Sequence, residues 1–314
     1  VRHVIESISP ASRAHAEGAR QNVAAAGAPL LERLAIALGG AQHTARPRSA
    51  KRTIVVVASD HGVGDPGIRL GAAHPTVLAA RAIVDGTAAL AQVARSSGTP
   101  VLLVDAGAVE QLPDDAVQLG RGASKNLLVE PALTVVDAAL GLEAGVALAV
   151  SLVDRGQDVI AVGALGIGAE VSAAALYGAF ATGSLVTADD ADAHAAFERG
   201  RALADVGTLE KLATFGGSET CVLAGLMLGA ASMNVPVILD SYVTGAAAIV
   251  AAALAPAVTG YLVAAHAGSL THRAMLDALG LVPLFDVGLG FGEGTGAAML
   301  IPWVDQVAAL AVRS

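Results

Sequence analysis

The residues best suited to chemistry lie in four short clusters of this 314-residue chain. Three clusters follow apolar runs, and the fourth lies at the start of a predicted helix. Carboxylate and imidazole side chains can move protons, and glycine-rich turns expose backbone amides that can bind a phosphate. The clusters therefore predict a small-molecule site, and their residues are Ser59-Asp60-His61-Gly62, Gly163-Ala164-Leu165-Gly166-Ile167-Gly168, Asp240-Ser241 and Gly292-Glu293-Gly294-Thr295-Gly296.

Glu293 has the most distinctive surroundings of any acidic residue in the chain. It lies between Gly292 and Gly294, and the missing side chains leave open space for a ligand beside the carboxylate. The alternative interpretation is that Glu293 only caps the helix that follows.

The other clusters have structural alternatives as well. Asp60 and His61 can cap a loop, and Gly163, Gly166 and Gly168 can serve a tight turn between a strand and a helix. A nicotinamide dinucleotide site is excluded because no acidic residue follows a second strand at the required place. The eight histidines lack ligand spacing, so we predict no metal and no cofactor.

Alternating strands and helices would position these clusters. Apolar runs at 53–59, 100–105, 158–163, 236–240 and 260–265 predict strands that are buried on both faces. Helical patterns lie between them, which favours a parallel sheet with right-handed crossovers and a ligand site at the carboxyl ends of the strands. The predicted helices are 76–97, 134–155, 172–182, 191–203, 219–233, 245–255 and 272–279.

The fold class is therefore α/β, with a Rossmann-like large domain at 53–293 and helices on both faces of its parallel sheet. The first 42 residues and the segment 294–314 have helical patterns and predict a small domain built from both termini. The polar, basic stretch 43–52 contains Pro47 and predicts a linker between the two.

Composition limits the partners and the location. A net charge of −9 argues against a nucleic-acid partner, because phosphate backbones need a basic surface. The most apolar window, 243–265, is interrupted by Gly245, Pro256 and Gly260, so we expect no membrane span there despite a mean hydropathy of +0.62. The N-terminus has no signal-peptide pattern, and we expect a cytoplasmic protein with Cys221 buried.

Several segments in chain order resemble the nicotinate-nucleotide:dimethylbenzimidazole phosphoribosyltransferase family. SDHGV, which begins at Ser59, is similar to the family's (A/G)DHGV. The stretch from Arg121 to Thr134 is similar to its RGTxN…PAMT, and the loop from Gly163 to Gly168 to its GEMGIGNTT. GGSE, LAGLMLGAA, VPVILD, LAPAV and GEGTGAA then follow the family's order almost residue for residue, so the resemblance covers about 53–307.

The resemblance implies a homodimeric enzyme that uses nicotinate mononucleotide and 5,6-dimethylbenzimidazole or a related aromatic base. The base attacks the ribose C1′ and releases nicotinate with inversion, and the glutamate of GEGTG, here Glu293, takes the imidazole proton. Burial in a glycine-lined slot would raise the pKa of that carboxyl group toward the operating range. We expect substrate contacts from Ser59, Asp60, His61, Gly166, Gly168, Gly183, Ser184, Asp240, Ser241, Gly292 and Gly294.

This chain departs from the family pattern mainly where the substrate binds. The glutamate of EMGIGNTT is Ala164, and Ala169-Glu170-Val171 replaces NTT. The phosphate loop GRGTG is replaced by residues 183–187, and the lysine expected about a turn later is absent. A glutamine and an asparagine expected to face the base are Ala79 and Ala82.

These departures leave three hypotheses open. The first is a phosphoribosyltransferase, acting alone or with a homologous subunit. The second is a non-catalytic homologue or partner subunit that binds an aromatic base but not nicotinate mononucleotide. The third is a transferase or hydrolase for an unphosphorylated nucleoside, with Glu170 and Asp60 holding ribose hydroxyls.

Overall fold

A parallel sheet of six strands forms the centre of the molecule. The computed structural model describes residues 1–64, 70–120, 122–181, 191–203, 205–289 and 292–312. The strand order is β3-β2-β1-β4-β5-β6, and each neighbouring pair is parallel. The strands are β1 (Arg52–Ser59), β2 (Val101–Gly107), β3 (Val117–Gln118), β4 (Val159–Leu165), β5 (Val237–Leu239) and β6 (Leu262–Ala264).

The five predicted strands are all present, with ends that differ by one or two residues. No apolar run signals β3, because it has only two residues, both exposed, and pairs with β2 alone. The chain reverses its direction of travel across the sheet between β1 and β4, which lie side by side from Arg52 and Val159 to Ala58 and Leu165. Such a switch point opens a crevice at the carboxyl ends of the strands.

Thirteen α-helices lie in the described residues. The N-terminal segment, predicted as helical, contains three of them, separated at Gly27 and around 8–12. The helices are α1 (Arg2–Ser7), α2 (Arg13–Val23), α3 (Pro29–Ala41), α4 (Pro75–Val84), α5 (Ala89–Ser96), α6 (Val135–Asp154), α7 (Ala169–Phe180), α8 (Ala191–Ala202), α9 (Thr208–Phe215), α10 (Ser218–Ser232), α11 (Tyr242–Leu254), α12 (Leu270–Ala278) and α13 (Thr295–Val312).

Two helix predictions were wrong. The helix expected over 76–97 is two helices, because α4 ends at Val84 and Gly86 adopts φ +78°, a left-handed conformation that a helix cannot continue through. The prediction also omitted α9, whose eight residues are too few for a clear periodic pattern.

Two buried clusters cover the two faces of the sheet. Successive residues of β1 alternate between them: Val55 and Val57 pack toward α6, α7, α10 and α11. Ile54, Val56 and Ala58 pack toward α3, α4, α5 and α13. Because successive strand residues point to opposite faces, this alternation confirms the predicted α/β class with helices on both faces.

The terminal helices α2, α3 and α13 contact one another. α13 also packs on α5 and β4, and residues of all three helices share one buried cluster with the sheet. Gln42 precedes the segment 43–52, and its side-chain amide donates to the Arg48 carbonyl and accepts from the Arg48 amide within that segment. The division into a small terminal domain, a linker and a large domain stays a prediction.

Three apolar segments of the described chain are long enough to cross a membrane by length and composition alone. They are Pro75–Ser96, Val135–Asp154 and Thr295–Val312, with 33%, 28% and 50% of their most apolar windows buried. None coincides with the window 243–265, whose helix α11 is buried at nine of thirteen positions. The predicted cytoplasmic location stays a prediction.

Candidate active site

The loop after β1 is held by the buried carboxylate of Asp60. One carboxylate oxygen accepts hydrogen bonds from the Thr76 hydroxyl and from the Ile167 amide at 3.1 Å, and the other accepts from the Val109 amide at 2.9 Å. These partners lie in α4, in the loop after β4 and in the loop after β2. Asp60 is fully buried and already has three donors, so it joins α4 to the loops after β2 and β4.

His61 continues this network with a buried hydrogen-bonded pair. Its Nε2 lies 3.1 Å from Oε1 of Glu219, and its Nδ1 lies 3.3 Å from the hydroxyl of Ser124. Burial by itself would raise the pKa of Glu219, but the His61 charge and hydrogen bonds from His61 and Thr220 outweigh it and hold that pKa below its usual range. The pair therefore links the start of α10 to the loop after β1.

Gly166 and Gly168 form the turn from β4 into α7. Gly166 has φ +145°, and a side-chain carbon there would overlap the carbonyl oxygen of Ser59. Gly168 has φ +77° and precedes the first residue of α7. The turn thus requires glycine for close contact with the β1 loop, and it opens the N-terminus of α7 toward the crevice.

Asp240 fixes the segment that carries Glu293. Its Oδ2 accepts from the Gly294 amide at 3.0 Å and its Oδ1 from the Ala297 amide at 2.9 Å, so it caps the start of α13. The Gly292 carbonyl accepts from the Ala164 amide at 3.1 Å. The residues on either side of Glu293 are therefore bonded to the ends of β4 and β5.

Glu293 is half-buried and has no ion pair among the described residues. Burial raises the pKa of its carboxyl group, and the negative charge of Asp240 raises it further. A carboxylate with a raised pKa is a better proton acceptor near neutral pH than an exposed one. Gly163 makes this placement possible, because a side chain at 163 would overlap the Glu293 backbone.

A chamber of about 110 Å³ is lined in part by Gly292, the residue before Glu293. Ser241, His266 and His272 lie in its wall and are buried, whereas Glu170 is exposed at the N-terminal turn of α7. No pattern in the sequence pointed to the two histidines, because their role depends on β6 and α12 meeting here. The lining consists of Glu170, Ser241, Tyr242, His266, Gly268, Ser269, His272, Leu289 and Gly292.

Ten predicted site residues lie together at the carboxyl edge of the sheet. Ser59, Asp60 and His61 contact the turn of Gly166 and Gly168. Asp240 and Ser241 contact the segment Gly292, Glu293 and Gly294. Gly183 and Ser184 lie outside the described residues. Within the described chain, no group of three or more His, Cys, Asp or Glu side chains is arranged to hold a metal ion.

A larger cavity of about 840 Å³ lies on the other side of the β1 loop. Its walls come from residues 119–120, 122–123, 125 and 130–134 and from α6, α9 and α10. Glu293 lines neither cavity, but its neighbour Gly292 lines the smaller chamber, so the chemistry is better placed there. The cavity continues onto an exposed aliphatic face of α6, where Val136 and Leu140 are 67% and 56% exposed.

Comparison with known proteins identifies relatives of this chain. A family model described as phosphoribosyltransferase matches residues 5–313. A nicotinate-nucleotide–dimethylbenzimidazole phosphoribosyltransferase from Roseiflexus sp. (strain RS-1) is 37% identical over 289 residues, which cover 86% of this chain and 81% of that protein. The enzyme of the same name from Deinococcus radiodurans is 36% identical over 305 residues, covering 89% and 82%.

A solved structure has the same architecture. The nicotinate-nucleotide–dimethylbenzimidazole phosphoribosyltransferase from Thermus thermophilus superposes with a TM-score of 0.85 at 30% identity, and the match covers 95% of each chain.

Proposed function

The chain belongs to the nicotinate-nucleotide–dimethylbenzimidazole phosphoribosyltransferase family, and we propose that it transfers the phosphoribosyl group of nicotinate mononucleotide to 5,6-dimethylbenzimidazole or a related azole. The products are the α-riboside phosphate of the azole and free nicotinate. The single observation that supports this most strongly is Glu293, a half-buried carboxylate with a raised pKa, whose neighbour Gly292 lines a polar chamber.

The reaction needs one nucleophile, one leaving group and one proton acceptor. One azole nitrogen forms the new bond to C1′ while the bond from C1′ to the pyridinium nitrogen breaks, and its electron pair neutralises the nicotinate ring. The other azole nitrogen becomes acidic as the new bond forms, and Glu293 takes its proton. A pKa raised by burial and by Asp240 brings the acceptor closer to the operating pH, where general-base catalysis is most effective.

The departures at Ala164, Ala79 and Ala82 concern side chains that hold substrate. Ala164 keeps a role through its backbone, because its amide bonds the Gly292 carbonyl and so supports Glu293. Nothing in the described residues or the comparisons favours the non-catalytic alternative. We therefore propose an aromatic nitrogen base that needs fewer polar contacts as the acceptor.

We further propose that the enzyme is a cytoplasmic homodimer whose subunits meet at the aliphatic face of α6. This face is defined by Val135, Val136, Leu140 and Val150, which are all exposed and apolar. An exposed aliphatic row beside a large groove is typical of a subunit interface rather than of a solvated surface.

The direct test is turnover of nicotinate mononucleotide and 5,6-dimethylbenzimidazole, followed by chromatography of the riboside phosphate. Glu293→Gln keeps the size of the side chain but removes the proton acceptor, so we expect kcat to fall by about 10²–10⁴-fold. Glu6→Gln changes an exposed glutamate on α1 and serves as the matched control, with unchanged rates. Absence of product with every azole tested would overturn the function, and full activity of Glu293→Gln would overturn the role of Glu293.

A further inference from the structure

The chamber beside Glu293 contains two buried histidines with unused hydrogen-bonding groups. His266 and His272 are 1% and 2% exposed. Among the described residues, neither ring nitrogen of His266 has a hydrogen-bond partner, and Nε2 of His272 has none. Buried polar atoms that lack a partner are energetically costly, so these groups are available to bind a ligand.

The contacts of His272 determine what it offers to such a ligand. The Gly268 amide donates to its Nδ1 at 3.2 Å, so in the neutral ring the hydrogen is on Nε2. Burial, and to a smaller extent the neighbouring His266, lowers the pKa of His272 to about 4, although the charge of Asp240 acts in the opposite direction. At neutral pH the ring is therefore an uncharged donor through Nε2.

His266 is held in place by its ring contacts. It stacks on Phe285 with 6.2 Å between ring centroids and meets the edge of His272 at 5.9 Å. Its Nε2 lies 3.6 Å from Oδ1 of Asp240, which is beyond hydrogen-bonding distance. The ring thus presents polar atoms in a fixed orientation next to the segment that carries Glu293.

The charges around the chamber favour an uncharged ligand. No lysine or arginine lines it among the described residues, and the carboxylates of Glu170 and Asp240 lie close by. A phosphate dianion would be repelled by these carboxylates. A hydroxyl group can accept from an imidazole N–H and donate to a carboxylate at the same time.

The size of the chamber points to the same class of ligand. A volume of about 110 Å³ is well below the range of about 300–1,000 Å³ that is usual for a whole small-molecule site. The chamber therefore suits one part of a nucleotide, such as the edge of its sugar ring. Gly292 lines the chamber and is next to Glu293 in the chain. A sugar bound in the chamber would therefore have its C1′ near the Glu293 carboxylate.

We propose that His266 and His272 form a ribose subsite, in which they bind the 2′ and 3′ hydroxyls of the donor nucleotide and orient C1′ toward the incoming azole. This subsite rests on the proposed function for the identity of the donor. It assigns recognition of the sugar to two neutral imidazoles and leaves phosphate binding to other parts of the chain.

The test compares binding of nicotinate mononucleotide with binding of its 2′,3′-dideoxy analogue by calorimetry. The unsubstituted protein is expected to bind the analogue about tenfold more weakly, because the analogue lacks both hydroxyl groups that the imidazoles would bind. His272→Phe and His266→Phe preserve a flat ring but remove the polar ring atoms, so the ratio of the two affinities should fall toward one. His272→Gln restores an N–H donor and should recover part of the discrimination.

His194→Phe, on the exposed face of α8, is the matched control and should keep the full ratio. Thermal unfolding confirms that each variant is folded. If a phenylalanine variant does not fold, His272→Gln takes its place in the comparison. An unchanged ratio in the histidine variants overturns the subsite, and so does the absence of mononucleotide binding by the unsubstituted protein. Discrimination that depends on the histidines supports the subsite even if no azole is ribosylated, whereas turnover with an unchanged ratio leaves the proposed function standing without it.

Discussion

Asp240 connects the structure of the site to its chemistry. Its two carboxylate oxygens cap the first turn of α13, and its charge adds to burial in raising the pKa of Glu293. The sequence suggested a substrate contact for Asp240, and the structure shows both oxygens bonded to backbone amides. Its placement favours a positioning role for Glu293, and any direct contact with substrate stays a prediction.

Asp240→Asn should therefore shift the pH dependence of catalysis. Glu293 must be deprotonated to act as a base, so kcat/KM rises as pH increases through its pKa. Without the neighbouring negative charge that pKa falls toward its ordinary value, and the acid limb of the profile moves to lower pH. Asp114→Asn, at an exposed loop position, should leave the limb in place. A limb that stays unshifted in Asp240→Asn would contradict this electrostatic coupling.

His272 should make the protein less stable in acid. Its pKa is about 4 in the folded protein, against an ordinary value of 6.5, so between these values the unfolded chain binds the proton and the folded chain does not. The free energy of unfolding then falls as pH decreases from about 6.5 to about 4, by up to about 3 kcal/mol from this residue.

Urea unfolding at pH 7 and at pH 4.5 measures this effect. In His272→Gln the group no longer titrates, so the difference between the two pH values should shrink by about 2–3 kcal/mol. His194→Gln is the control for loss of an exposed histidine and should retain the full difference. Equal pH dependence in His272→Gln and the unsubstituted protein would show that burial does not suppress protonation of His272.

At the scale of elements, the turn between β4 and α7 controls how closely the substrate loops approach. Gly166 combines a left-handed backbone with direct contact on the Ser59 carbonyl. The adjacent Ile167 amide bonds Asp60, and its carbonyl accepts from the His61 amide. Gly166 thus lets the loops after β1 and β4 approach closely enough to form hydrogen bonds with each other.

Gly166→Ala is expected to lower the free energy of unfolding by more than about 2 kcal/mol, because it adds both backbone strain and a steric overlap. Gly98→Ala isolates the strain, since Gly98 has φ +61° but no atom within 4 Å of the added carbon. That control should cost about 1 kcal/mol. Denaturant unfolding measures the free energy of unfolding of both variants. An equal loss in the two would mean that the overlap with Ser59 does not affect stability.

At the scale of the whole molecule, the exposed aliphatic face of α6 predicts self-association. Analytical ultracentrifugation should find a dimer, and Leu140→Asp should give a monomer because it places a charge in the apolar interface. Val84→Asp, an equally drastic change at an exposed position on α4, should leave the dimer intact. A monomeric unsubstituted protein, or dimeric Leu140→Asp, would rule out this face.

The sequence alone predicted the parallel α/β fold, and it predicted that ten of the described site residues lie at one edge of the sheet. It could do so because buried strands are continuous apolar runs, and because polar residues after parallel strands must meet at the same edge. Glu293 stood out for a local reason: glycines on both sides leave room that no other carboxylate in the chain has.

Only the tertiary structure decided which polar residues hold the loops and which face open space. In the sequence, Asp60 and His61 could not be told apart from residues that bind substrate. The partners of Asp60 are Thr76 and Ile167, 16 and 107 positions away, and the partner of His61 is Glu219, 158 positions away. The pairing of His266 with His272 and the capping of Gly294 by Asp240 also depend on where separate elements pack. Hydrogen bonds and burial of this kind are properties of distances in space, and periodicity along the chain does not encode them.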